Sequence, residues 1–85
     1  MRGAQIAPFP ADLTKQMRTV SGHDCIKALK KLGYRQARQK GSHVRLVCEG
    51  RNPVTVPMHP TLDRGTLRAI IRTIEITVNE FEALL

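Results

Sequence analysis

Between His43 and Glu49 the chain alternates with a period of two. Val44, Leu46 and Cys48 fall on one side, and His43, Arg45, Val47 and Glu49 on the other. A strand with one apolar face belongs to an antiparallel sheet covered on that side and solvated on the other. The cover is available on either side in sequence. Upstream, Cys25, Ile26, Leu29 and Leu32 recur at helical spacing, with Lys27, Lys30 and Lys31 on the opposite face. Downstream, Leu67, Ile70, Ile71 and Ile74 match the i, i+3, i+4, i+7 pattern, with Arg64, Arg68 and Arg72 outside. The expected fold is an α+β sandwich: two helices on one face of a small antiparallel sheet.

Local signals place the boundaries. Ser21 and Asp24 are spaced like a capping box, the hydroxyl accepting an orphan amide while the carboxylate reaches back. Gly33 supplies a left-handed cap, so the first helix is predicted over 22–32. Tyr34 to Arg38 is predicted as the first strand, closed by a turn around Lys40-Gly41-Ser42, and His43 to Glu49 as the second. Gly50-Arg51-Asn52-Pro53 reads as a hairpin turn before a third strand, Val54-Thr55-Val56. Pro57 and Pro60 end the sheet, because neither can donate to a ladder. Thr77 and Glu80 form a second box, opening a short C-terminal helix with Val78, Phe81 and Leu85 on one face. Residues 1–20 show no sustained period and read as a flexible extension, with one helical turn near Leu13–Arg18. The domain is then 21–85.

Eighty-five residues make one domain, with room for neither a large cofactor fold nor a multi-layer enzyme. Any chemistry must come from a few surface side chains. The net charge is +7, and it is unevenly spread. Between Cys25 and Cys48 lie seven basic residues (Lys27, Lys30, Lys31, Arg35, Arg38, Lys40, Arg45) and no acidic one, whereas the last thirteen carry Glu75, Glu80 and Glu82 alone. A basic patch of this kind attracts phosphate polyanions or an acidic protein. Cys25 and Cys48 have neither metal-type spacing nor a framework to join, and read as small buried hydrophobes in a reducing compartment. No apolar run has the length of a membrane span or a signal peptide, so the expectation is a cytoplasmic protein with no membrane association.

His43 follows Gly41 and Ser42 at a turn and points away from the apolar face. A lone histidine is often merely exposed, but this one lies on an otherwise basic surface. Imidazole ordinarily titrates near 6.5, which suits proton transfer at neutral pH. No Asp/Glu/His cluster suggests a metal, and no cofactor is expected. A metal-free site of histidines and cations can still cleave RNA, with the attacking group either the substrate's own 2′-hydroxyl, which DNA lacks, or water. Lys40 is the candidate phosphate clamp, and Arg45, two residues along the same face, can steady transition-state charge. Gly41 fits either a positive φ or close approach of a phosphate, and Ser42 either contacts substrate or completes the turn. His59, at the end of the third strand and so close to the start of the second, is either a loop histidine bonding to backbone, an assistant to His43 or a contact to RNA. Lys27, Lys30, Lys31, Arg64 and Arg68 are candidate contacts to the RNA backbone, and His23 reads as exposed and unimportant.

Three local motifs add to this reading: Arg38-Gln39-Lys40-Gly41-Ser42-His43, Val54-Thr55-Val56-Pro57-Met58-His59, and Arg64-Gly65-Thr66-Leu67-Arg68-Ala69-Ile70. In that order, after Ser21-Gly22 and the Ile26…Leu29 helix, the chain resembles the HicA toxin family over about residues 21–85. The resemblance implies a fold like the double-stranded RNA-binding domain, ribonuclease activity on messenger RNA, and His43 as the functional residue. It also implies a HicB-like antitoxin that neutralises a toxin monomeric when free. Two departures stand out. Ile74-Glu75 replaces the usual Ala-Gly pair after the second helix, losing the glycine cap, and Pro60-Thr61-Leu62-Asp63 reads as a shortened loop. Two rivals share the basic surface: a non-catalytic double-stranded RNA-binding module, and an interaction protein that only grips an acidic partner.

Overall fold

The structure, a computed structural model, describes residues 19–85. Six elements follow in order: α1 (Gly22–Lys31), β1 (Arg35–Lys40), β2 (His43–Cys48), β3 (Arg51–Pro57), α2 (Arg64–Thr73) and α3 (Val78–Leu84). The strands form one antiparallel sheet in the order β1-β2-β3, giving the expected α+β architecture with its extra C-terminal helix. The helical turn expected near Leu13–Arg18 lies outside the described residues. Val20, one residue ahead of the expected domain start, is buried, and its carbonyl accepts from Leu62 N–H at 2.8 Å.

The core follows the sequence periods. Val44, Leu46, Val54 and Val56 come from the inner face of the sheet, Cys25, Ile26 and Leu29 from α1, and Leu67, Ile70 and Ile71 from α2. Phe81 of α3 is fully buried, which ties the terminal helix to the same core. Burial pushes the Cys25 thiol up to about 12. Cys48 is half-buried against the core, and both cysteines are free thiols.

Helix ends follow their caps. Ser21 Oγ accepts from Asp24 N–H at 3.0 Å, and Asp63 Oδ1 accepts from Thr66 N–H at 2.7 Å. The reciprocal box forms at α3, where Thr77 Oγ1 accepts from Glu80 N–H and Glu80 Oε1 from Thr77 N–H. Gly33 ends α1 with φ +108°, its N–H donating to Lys30 C=O and that of Tyr34 to Leu29 C=O. This is the Schellman pattern, which needs a left-handed residue just past the helix. At α2 the same bonds form, Glu75 N–H to Arg72 C=O and Ile76 N–H to Ile71 C=O. Glu75 holds the left-handed position with φ +60°. The glycine is gone, but the cap geometry remains.

The strand boundaries differ from the sequence expectation around both hairpins. β1 runs to Lys40 rather than Arg38 and is exposed along its whole length. As an edge strand it buries nothing, so its polar Arg-Gln-Lys end carries no alternation to read. At the other hairpin the turn takes only Glu49 and Gly50, with Gly50 at φ +82°. β2 therefore stops at Cys48, and Arg51, Asn52 and Pro53 belong to β3. Pro53 is accommodated because β3 is the opposite edge and the ladder shifts register between Leu46 and Cys48.

Candidate functional site

The register of the sheet decides which polar residues meet. His43, the first residue of β2, pairs with Lys40 of β1 and with Pro57 of β3. Arg45 pairs with Arg38 and with Thr55. Directly opposed residues share a face, and Val44 between these two rows is buried beneath the helices. Lys40, His43, Arg38 and Arg45 therefore stand together on the bare face, all exposed. The sequence shows Arg38 only as one cation of the basic stretch, because a strand expected to end there gives it no cross-strand partner.

The turn that delivers His43 is two residues long, Gly41-Ser42. Gly41 has φ +58°, and nothing lies within 4 Å of the place a Cβ would occupy. Its reason is thus the left-handed backbone rather than a close neighbour. Ser42 C=O accepts from Met58 N–H at 2.6 Å, carrying the β2–β3 pairing one step past the end of β3. His59 is therefore beside the start of β2, as its position after Pro57 suggested, and its side chain is exposed.

The first turn of α1 closes the same end of the molecule. Gly22 N–H donates to His59 C=O at 2.9 Å. A Cβ on Gly22 would overlap Pro57 O and come within 2.9 Å of Met58 Cα. His23 follows immediately and is exposed, so the backbones of His23, His43 and His59 converge on one pole. For His23 no sequence signal could have shown this, since the convergence depends on a helix-to-strand contact. Asp63, the cap of α2, lies beside this pole. Hydrogen bonds from the Thr66 backbone and side chain, then one from Gly65 N–H and the nearby charge of His59, hold its carboxyl below the ordinary carboxylate range.

The remaining cations are distributed differently. Lys27, Lys30 and Lys31 are exposed on α1, in the helical layer, and do not share the face of His43. Lys31 Nζ donates to Leu84 C=O at 2.8 Å and so closes the end of α3. Arg64 opens α2, five residues beyond His59, and Arg68 lies one turn further along. A groove of about 360 Å³ runs between β3 and α2, bordered by Arg45, Thr55, Thr66 and Ala69. Arg45 thus serves both the His43 row and this groove.

Among the described residues no group of three or more His, Cys, Asp or Glu side chains is placed to hold a metal ion. No described helix is long and apolar enough to cross a membrane. A family model described as "HicA toxin of bacterial toxin-antitoxin" matches residues 22–76, a span covering α1, every strand, the histidine pole and α2. No curated protein matches the sequence.

Proposed function

Because the chain belongs to the HicA toxin family of bacterial toxin–antitoxin systems, we propose that it is a ribonuclease that cleaves messenger RNA in the cytoplasm through His43. The observation that carries this reading is the register: His43 stands on an open sheet face with Lys40 directly opposite and the Arg38–Arg45 pair in the next row. A phosphodiester laid across that face meets one group able to take a proton and several able to balance charge. His43 removes the proton from the 2′-hydroxyl, the 2′-oxygen attacks phosphorus, and a 2′,3′-cyclic phosphate forms. Lys40 and Arg45 neutralise the extra negative charge on the phosphorane, where fixed cations contribute most. The requirement for a 2′-hydroxyl restricts the substrate to RNA.

The other cations are backbone contacts in the helical layer. Arg64 and Arg68 stand on α2 outside the groove that Arg45 borders and meet a chain that runs on from the histidine pole over that helix, whereas Lys27, Lys30 and Lys31 meet only a chain that wraps onto α1. Ser42, exposed at the tip of the turn, hydrogen-bonds a phosphate oxygen in this reading. No metal is assigned to the reaction, since among the described residues no three His, Cys, Asp or Glu side chains are grouped so as to hold one. A HicB-like antitoxin neutralises the toxin by laying an acidic surface over His43, Lys40 and Arg45, so RNA and antitoxin compete.

The test is a gel assay of purified protein on total RNA in EDTA, with and without His43→Ala. Wild type should cleave, and the variant should lose roughly a hundredfold or more of the rate, in line with loss of a general base, while its melting temperature stays unchanged. RNA that is bound but left intact by the wild type would return the protein to the non-catalytic RNA-binding module. No RNA binding at all would favour a protein whose basic patch serves only an acidic partner.

A further inference from the structure

The cleavage just proposed has two proton transfers, and His43 accounts for one. The 5′-oxygen leaves as an alkoxide unless a second group protonates it. Among the side chains at the pole the choice is narrow. Arginine does not surrender its proton, which removes Arg38 and Arg45, and Lys40, directly opposite His43, is already engaged with the charge on the phosphorane. The Asp63 carboxylate is held in its charged form by the α2 cap and has no proton to give. His23 and His59 are left.

The ladder distinguishes them. His43 pairs with Pro57, and the Met58 N–H bond to Ser42 C=O continues that pairing outward. His59 is two residues beyond Pro57, just past the end of β3, where the continued pairing carries it toward the diagonal position from His43. Such diagonal positions lie about 7–8 Å apart, within reach of long side chains. That spacing leaves room for a phosphate between two imidazoles, one facing the 2′-oxygen and the other the 5′-oxygen. The Gly22 N–H bond to His59 C=O fixes the backbone there from the helical side. His23 belongs to α1, outside the ladder, and has no such relation to His43.

We propose that His59 is the general acid of the reaction, donating its proton to the leaving 5′-oxygen while His43 accepts the proton of the 2′-hydroxyl. The inference rests on the ribonuclease reading above. The 2′-O–P bond forms as the P–O5′ bond breaks, and one proton enters at His43 as one leaves from His59. Exchange with water then restores both histidines.

The experiment compares two versions of an oligoribonucleotide at a linkage the protein cuts, one with the natural 5′-oxygen and one with sulfur in its place. A thiolate leaves without being protonated, so the sulfur substrate no longer needs an acid. His59→Ala should cleave the oxygen substrate roughly a hundredfold or more slowly and the sulfur substrate within about tenfold of wild type. His43→Ala should be equally impaired on both, and His23→Ala should match wild type on both. Recovery on sulfur also shows that His59→Ala is folded. Equal loss on both substrates, or no loss on either, overturns the assignment of His59. The product ends separate this from the parent reading, because a cyclic phosphate reports 2′-hydroxyl attack whichever group protonates the leaving oxygen.

Discussion

At Gly22 the absence of a side chain lets the first turn of α1 lie directly on the chain leaving β3. The obstruction to any larger residue is backbone on a sheet that cannot swing aside, so relief must come from separating the two layers. Gly22→Ala should destabilise the fold by about 1–3 kcal/mol, the usual range for overpacking. It should also lower RNA cleavage beyond what lost stability explains, because the same contact fixes His59. Denaturant melts paired with activity at a temperature where both forms are fully folded would check this. A Gly22→Ala variant as stable as wild type would show that the contact is loose. Cys25 gives a pH prediction. Its buried thiol titrates near 12, against an ordinary 9.0. Below about 9 both folded and unfolded chains keep the proton, and the contribution is fully present. Above 9 only the unfolded chain ionises, so stability falls until the folded thiol titrates too. The slope from this group is at most about 1.4 kcal/mol per pH unit. Urea unfolding of wild type and Cys25→Ala between pH 8 and 11 should show a steeper decline in wild type.

Among the elements, the end of α2 makes the sharpest prediction. Glu75 occupies a left-handed conformation that costs a residue with a Cβ about 1–2 kcal/mol. Because the Schellman bonds are already formed around it, Glu75→Gly should raise stability by about 1 kcal/mol and leave cleavage unaltered, as thermal melts and the RNA assay would show. The same position shows what a sequence does and does not disclose. The missing glycine was legible, but the survival of the cap was not, because the hairpin tip also secures that end. Arg51 donates to Ile74 C=O at 3.2 Å and Asn52 to Thr73 C=O at 2.8 Å. Buried faces were legible throughout: β2, α1, α2, α3 and the Val54-Thr55-Val56 stretch of β3 all appear where the apolar period puts them. The ends of the edge strands were not. β1 has no apolar face, and β3 opens with Arg51-Asn52-Pro53, whose turn chemistry outweighs its pairing until the register is known. At the site, His43, Lys40 and Arg45 could be read from one strand and its turn. Arg38 could not, since its pairing with Arg45 depends on the register of the hairpin.

For the whole molecule, the two-layer plan separates two kinds of surface. The helical layer carries its lysines beside the acidic α3, and Lys31 is engaged by the Leu84 carbonyl at the end of that helix. The bare sheet face instead sets Arg38 directly against Arg45 and Lys40 against His43. Like charges opposed across strands weaken a sheet, so the surface proposed to meet RNA is one that the free fold tolerates at some loss of stability. Added ions act on this arrangement in two opposite directions. By screening the repulsion within the sheet, raising sodium chloride from about 10 to 300 mM shortens the Debye length severalfold and should raise the melting temperature of the free protein. The same ions compete for the phosphates of RNA and for the acidic face of an antitoxin, so association with either should slow and weaken over that range. A free protein whose melting temperature falls with salt while RNA binding also weakens would mean that the opposed arginines splay apart. Ionic strength thus becomes a control on the toxin in its own right: dilute conditions favour capture of the basic face by a partner, and concentrated ones favour the unattended fold.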